Sequence, residues 1–282
     1  MTTLFTNHEQ FIAWRNGIPK NCVIGFVPTM GALHQGHISL IERAESECDF
    51  VVVSIYVNEL QFNSERDYER YPRTEDADFN LCVRANVDAI FAPIKSEIFP
   101  EDSVALLSPS RSAENFEGAD RPGHFSGVVT VVDRLFFIVK PTIAYFGLKD
   151  YQQVAVITDM TAKLHPHVEI RACSTMRESD GLAMSSRNRF LSPTGRELAS
   201  QIPLALSGAL NQWKTGTTRA SELIQWTKQQ LGAFPNIELQ YISIVRNGTM
   251  SQVDTVSETD VLIAAVVIDG IRLIDNMQFS IV

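Results

Sequence analysis

Val27-Pro28-Thr29-Met30-Gly31-Ala32-Leu33-His34-Gln35-Gly36-His37 joins an apolar, strand-like run, Cys22–Val27, to a segment of helical spacing, Gly36–Cys48. Ile38, Ile41 and Ala44/Glu45 repeat on one face of that segment. Phe50–Val57 follows as a β-branched run, the signature of a strand buried on both faces of a sheet. Strand, helix and strand in this order form the unit of a parallel sheet. The alternation continues outward. Asp76–Ala85 reads as a helix and Asp88–Ala92 as a short strand. Val128, Val131, Val132, Leu135, Phe136 and Val139 recur at helical spacing until Pro141 stops them. Ile143–Phe146 reads as a strand, Tyr151–Leu164 as a helix and Val168–Cys173 as a strand. The fold expected is α/β, a Rossmann-like parallel sheet with helices on both faces.

The character changes after Thr175. Helical stretches near Arg196–Gln212 and Ala220–Leu231 precede strand-like runs at Ile237–Val245, Val261–Ile268 and Arg272–Ile274. Helices followed by consecutive strands imply a smaller C-terminal α+β domain. The boundary falls within residues 175–185, and the expected division is 1–177 and 178–282. At roughly 150 residues per domain, 282 residues agree with about two domains.

Hydrophobic residues make up 45% of the chain and charged residues 20%, a globular composition that excludes disorder. With 24 basic and 33 acidic side chains the net charge is −9. Neutralising phosphate backbones needs a basic face, so no nucleic-acid partner is expected, although a local basic cleft is compatible with this total. Cys22, Cys48, Cys82 and Cys173 form no Cys-x-x-Cys motif and read as structural free thiols. Met1–Gln10 shows no basic segment followed by an apolar run, so no signal peptide is expected. The longest apolar run, Val261–Ile268, is far shorter than the roughly 20 residues of a membrane span. No membrane association is expected, and the reduced cytoplasm is the expected compartment.

Five polar clusters stand at the expected strand ends and helix starts. In an open α/β sheet, ligands bind at the carboxyl ends of the strands. In the first cluster, the helix start after Val27 offers backbone N–H groups and a positive dipole end to an anion. Gly31 and Gly36 allow a nucleotide close to the backbone. His34 and His37 share one helical face, where two imidazoles can stabilise charge growing on phosphorus. Their alternative role is local capping.

The second cluster is Tyr56-Val57-Asn58-Glu59-Leu60-Gln61-Phe62. It projects amides from Asn58 and Gln61, and Tyr71-Pro72-Arg73 follows it. The third, Arg121-Pro122-Gly123-His124-Phe125-Ser126-Gly127-Val128, opens the long apolar helix. The fourth, Tyr145-Phe146-Gly147-Leu148-Lys149-Asp150-Tyr151-Gln152-Gln153, brings Lys149 as a point charge for phosphate. Asp150 reads equally as an N-cap or a ligand, and Gln153 lies one helical turn further on. The fifth, Arg177-Glu178-Ser179-Asp180-Gly181-Leu182-Ala183-Met184-Ser185-Ser186-Arg187-Asn188, suits a mobile phosphate clamp at the domain junction. Read alone, it is equally a capped linker.

His-x-Gly-His at a strand-to-helix turn resembles the nucleotidylyltransferase superfamily signature. The five clusters in order resemble the pantothenate synthetase (pantoate–β-alanine ligase) family from about Val23 to Leu191. The motifs are PTMGALHQGH, VNELQF, YPR, RPGHFSGV, YFGLKDYQQ and DGLAMSSRN. The resemblance implies that pantoate attacks the α-phosphorus of ATP, giving pantoyl adenylate and pyrophosphate. The β-alanine amine then displaces AMP to give pantothenate. It implies Mg2+ with ATP as co-substrate, and a homodimer.

Residue by residue, the resemblance implies catalytic roles for His37, His34 and Lys149. It implies ATP contacts at Met30, Gly31, Ala32, Leu33, His34, Gln35, Gly36 and His37. Further ATP contacts are implied at Gly147, Leu148, Lys149, Asp150, Met176, Met184, Ser185, Ser186 and Arg187. Pantoate and β-alanine contacts are implied at Gln61, Gln153, Asn58, Tyr71, Arg121 and His124. The metal ligands are unknown, with Asp78 named as a candidate. Two positions depart from the family pattern: Glu59 stands where Pro is common, and Met176 where Val is frequent.

Overall fold

The computed structural model describes residues 1–100 and 104–280. The chain forms two compact units, residues 1–148 with 152–174, and residues 149–151 with 175–282. The first carries strands β1 (Thr3–Phe5), β2 (Ile24–Thr29), β3 (Phe50–Ile55), β4 (Ala89–Phe91), β5 (Ile143–Gly147) and β6 (Glu169–Cys173). Its helices are α1 (His8–Asn16), α2 (Gln35–Glu47), α3 (Glu65–Arg70), α4 (Glu75–Arg84), α5 (Lys95–Ile98), α6 (Glu117–Asp120), α7 (His124–Val139) and α8 (Tyr151–Leu164). Tyr151 itself groups with the second unit.

The six strands form one parallel sheet in the order β1-β4-β3-β2-β5-β6. Alternation along the strands divides its core in two. Phe26, Val52, Phe91, Ala144 and Phe146 point to one face, with apolar residues of α1, α7 and α8. Val27, Val51, Val53, Ile90, Ile143 and Tyr145 point to the other, with Ile38, Ile41 and Ala44 of α2 and Cys82 of α4. The direction of winding reverses between β2 and β5, the switch point at whose carboxyl ends ligands of such sheets bind. His34 begins the helix that leaves β2 at that point.

The second unit holds α9 (Pro193–Ala199), α10 (Gln201–Lys214), α11 (Ala220–Gly232), β7 (Glu238–Val245), β8 (Val261–Ile268) and β9 (Ile271–Gln278). The strands form an antiparallel β7-β8-β9 sheet with its own apolar core shared with the helices. The sequence predicts one helix over Arg196–Gln212, whereas the chain breaks it at Ser200. Pro203 lies in the first turn of α10, where its missing N–H leaves no hydrogen bond unmade. The third strand runs past Ile274 to Gln278.

All four cysteines are free thiols. Burial pushes the Cys82 thiol up to about 12 and also raises Cys48 and Cys173, which disfavours their reactive thiolates. No helix among the described residues is long and apolar enough to cross a membrane.

Candidate active site

The turn after β2 is held by backbone conformations that side chains normally avoid. Gly31 has φ +78° and Ala32 φ +51°. A Cβ on Gly31 would lie 3.0 Å from an Asp78 carboxylate oxygen and 3.1 Å from Ile55 Cγ2. Asp78, on α4 and 1% exposed, secures this strained turn. Its Oδ2 accepts the Ala32 N–H at 2.9 Å and its Oδ1 the Leu33 N–H at 2.8 Å. The Thr74 hydroxyl donates to Oδ1 at 3.1 Å. Both carboxylate oxygens of Asp78, the candidate magnesium ligand, therefore serve the loop. Among the described residues no group of three or more His, Cys, Asp or Glu side chains is arranged to hold a metal.

His34 is the N-cap of α2, and its Nδ1 accepts the Gly36 N–H at 3.1 Å. His37 completes a capping box, its Nδ1 accepting the His34 N–H at 3.3 Å. The ring centroids are 4.2 Å apart. The expected alternative of local capping is thus present in both rings. Capping occupies Nδ1 as an acceptor, so the neutral ring carries its proton on Nε2. Capping and phosphate chemistry can then use opposite nitrogens of the same ring.

The Gly31 N–H donates to Thr29 Oγ1 at 3.1 Å, and the His37 N–H to His34 O at 2.8 Å. The amides of Gly31, Ala32, Leu33, His34, Gly36 and His37 are therefore engaged within the protein. The expectation of free backbone donors is corrected at these positions. At these positions a phosphate is left to the imidazoles and the helix dipole.

The second and third clusters come together around Gln61. Asn58 caps the 3-10 turn Glu59–Gln61 and is buried, so its amide lies beneath the site. Its Nδ2 donates to Gln61 Oε1 at 3.0 Å and to Gly127 O at 3.1 Å. Gln61 Nε2 reaches Met30 Sδ at 3.1 Å, which joins this cluster to the β2 turn. Gly127 is required here, because a Cβ would fall 2.2 Å from Leu60 O.

Arg121 Nη2 donates to Gln61 O at 3.3 Å, and Arg121 Nη1 lies 3.1 Å from His124 Nε2. A guanidinium only donates, so Nε2 accepts, and the His124 proton sits on Nδ1, 2.8 Å from Gln61 O. Arg121 and His124 thus fix the Gln61 backbone while Asn58 fixes its amide. Tyr71 is buried edge-on against Phe62, with ring centroids 5.8 Å apart. Gln153 is half-buried on α8 and is not joined to this network.

Sequence reasoning gives no role to its neighbour Gln152. That side chain accepts the Glu117 N–H at 3.0 Å and donates to Ser112 O and Asn115 O at 2.8 Å each, bracing the loop before α7. Its polarity inside an apolar helix is the available signal.

The fourth and fifth clusters contribute to the second unit through Lys149, Asp150 and residues 176–187. Gly147 and Leu148 belong to the first unit. Lys149 Nζ lies 3.6 Å from Asp150 Oδ1. Met184 N–H donates to Met176 O, and Glu178 N–H to Leu182 O, so this segment is a hairpin turning at Gly181. Arg196 pairs with Glu178 and Asp180, and its hydrogen bond holds the Asp180 carboxyl below the usual carboxylate range. The segment read as a phosphate clamp is a hydrogen-bonded hairpin. Ser185 Oγ accepts the Arg187 N–H at 3.3 Å at the start of the 3-10 turn Ser186–Phe190. Among the described residues the Arg187 guanidinium has no ion-pair partner.

The Pantoate-beta-alanine ligase family model matches residues 3–278. The chain is 44% identical over 257 residues to a pantothenate synthetase of Sulfurihydrogenibium sp. (strain YO3AOP1), covering 91% of this chain and 92% of the relative. It is 43% identical to one from Heliobacterium modesticaldum, with 99% of each chain covered. Among solved structures, a pantothenate synthetase from Thermus thermophilus superposes with a TM-score of 0.93 at 39% identity, covering 99% of both chains. A pantoate-beta-alanine ligase from Francisella tularensis, complexed with beta-gamma ATP and beta-alanine, gives 0.82 at 37% identity, covering 99% of this chain and 98% of that one.

Proposed function

The chain belongs to the pantoate-beta-alanine ligase family, and from that premise we propose how its residues divide the reaction. It is an ATP-dependent ligase that joins pantoate to β-alanine through an amide bond. In the proposed first step a pantoate carboxylate oxygen attacks the α-phosphorus of ATP. The bond from that phosphorus to the bridging oxygen breaks, and pyrophosphate leaves. In the second, the β-alanine nitrogen attacks the acyl carbon, the acyl–oxygen bond to AMP breaks, and the amine releases a proton. One observation carries this reading: the turn after β2 that leads to the paired imidazoles also carries Met30, whose Sδ accepts from the oriented amide of Gln61.

Nucleotide binding is assigned to the segments that match the family's ATP motifs. Met30–His37, Gly147–Asp150, Met176 and Met184–Arg187 hold ATP. His34, His37 and Lys149 stabilise charge on the phosphates, and Arg187 adds a further cation. Gln61 and Gln153 bind pantoate, with Gln61 bordering the β-alanine position. Asn58, Arg121 and His124 act through Gln61, and Tyr71 packs beside it. Mg2+ accompanies ATP on its phosphates. No step is assigned to a protein-held metal. A homodimer in the cytoplasm completes the proposal.

Purified protein given ATP, Mg2+, pantoate and β-alanine is expected to form pantothenate, AMP and pyrophosphate. Product chromatography showing ADP and phosphate instead would reject the adenylate route.

The departure at Glu59 is expected to be mild. Its carboxylate pairs with Lys95, and both side chains are exposed, so the pair is worth no more than about 1 kcal/mol. Asn58 has φ −84° and ψ 109°, a conformation compatible with a following proline. Glu59→Pro should keep the turn and shift KM for pantoate or β-alanine while leaving KM for ATP unchanged. Steady-state kinetics with each substrate varied in turn will show a changed KM for ATP if this placement is wrong.

A further inference from the structure

Resting on the reading that Lys149 serves the phosphates, we propose that Asn276 and Arg177 are positioning residues for Lys149. The last strand of the chain would then govern adenylate formation. Lys149 is held by its backbone. Asn276 Nδ2 donates to Lys149 O at 3.1 Å. Two residues on, the Tyr151 hydroxyl donates to Asn247 Oδ1 at 2.5 Å and lies 3.4 Å from the Gly248 amide, which donates to it. Both ends of the segment 149–151 are therefore tied to residues of the C-terminal strands and loops. The flexible lysine side chain starts from a fixed backbone.

Asn276 is itself held in place. Successive strand residues point to opposite faces, so Asp275 and Asn276 present their side chains to different neighbours. Asp275, with a side chain 1% exposed, receives the Arg177 fork at 2.7 and 2.9 Å. The same guanidinium donates to Asn276 O at 3.1 Å and to Gly181 O at 2.9 Å. Planar bidentate geometry of this kind fixes direction as well as distance. One ion pair on a buried carboxylate thus sets both the strand residue that holds Lys149 and the hairpin that carries Met184–Arg187. It joins two segments of the proposed ATP site that are far apart in sequence.

The consequence is specific to one half of the reaction. Lys149 acts where pyrophosphate departs, so loosening its backbone should slow adenylate formation more than aminolysis. Asn276→Ala removes the donor. Pantoate-dependent exchange of labelled pyrophosphate into ATP should then fall, by up to about 10²-fold for a displacement of the order of 1 Å. Aminolysis of preformed pantoyl adenylate by β-alanine should stay near the wild-type rate. If Asn276→Ala does not fold, Asn276→Asp is read in its place, since it matches the size and lacks the donor. Arg177→Lys, which keeps charge but loses the fork, should show the same imbalance. Equal losses in both half-reactions, or unchanged exchange, would overturn the proposal. Wild-type protein is run alongside, and if it shows no pantoate-dependent exchange the adenylate reading itself fails and this inference falls with it.

Discussion

His37→Ala is expected to lose pantoate-dependent exchange of pyrophosphate into ATP by about 10²–10³-fold, the usual effect of removing one preorganised group facing developing charge. The structure adds a control. His37 Nδ1 also closes the capping box of α2, so the alanine variant loses a cap as well as an imidazole. Losing a cap costs about 1 kcal/mol of stability. A glutamine at the same helix position can reach back to the N-cap amide. His37→Gln should therefore keep most of that stability and still lose the exchange. If His37→Gln restores exchange, the cap was the functional element and the imidazole was not. Given preformed pantoyl adenylate, both variants should retain more activity toward β-alanine than they do in exchange, because no pyrophosphate is expelled in that step. Gln61→Ala should impair both half-reactions, since its amide is proposed to border both the pantoyl group and the approaching amine.

Substitution of Asp78 should be nearly as damaging by a different route. Its carboxylate is buried and holds consecutive amides of a loop with two left-handed residues. Asp78→Asn keeps the shape but turns an N–H toward a backbone N–H. Each buried donor left without an acceptor costs about 1–3 kcal/mol. The loop should relax, and His34 and His37 should move with it. A displacement near 1 Å costs on the order of 10²-fold in rate. We expect a lower melting temperature and a comparable loss of exchange. The Mg2+ concentration giving half-maximal activity should be unchanged. A defect corrected by raising Mg2+ would make Asp78 a metal ligand after all.

The parts of this fold that are legible in sequence are those where one local pattern suffices. The run at Phe50–Ile55 is buried on both faces because it sits mid-sheet, and its β-branched composition records that directly. The boundaries of α8 follow from apolar periodicity and those of β8 from an unbroken apolar run. The N-terminal strand β1 leaves no such pattern. It has only three residues, lies at the sheet edge and exposes Leu4. Helix α1 does carry a signal in its Asn7 N-cap, which accepts the Gln10 amide.

Strand β9 reads too short in sequence because Asp275-Asn276 looks like a turn. Distant partners make those polar residues tolerable inside a strand: Arg177, 98 positions away, for Asp275, and Lys149 O for the Asn276 side chain. The same limit applies at the site. Sequence reading singles out Gln61, His34 and His37 from their clusters. The supporting contacts lie elsewhere in the chain, with Asp78 46 positions from Ala32 and Gly127 69 positions from Asn58. Residue spacing does not record such distances. For that reason the loop-holding contacts of Asp78 and the Gly127 contact of Asn58 are not legible in sequence.

The central claim is that a free carboxylate is activated as an acyl adenylate before the amine takes part. Pyrophosphate exchange in the wild-type protein tests it most directly. With ATP, Mg2+, pantoate and labelled pyrophosphate, and no β-alanine, label is predicted to enter ATP. Omission of pantoate should abolish the exchange. Exchange that requires β-alanine, or that proceeds equally well without pantoate, would contradict the account.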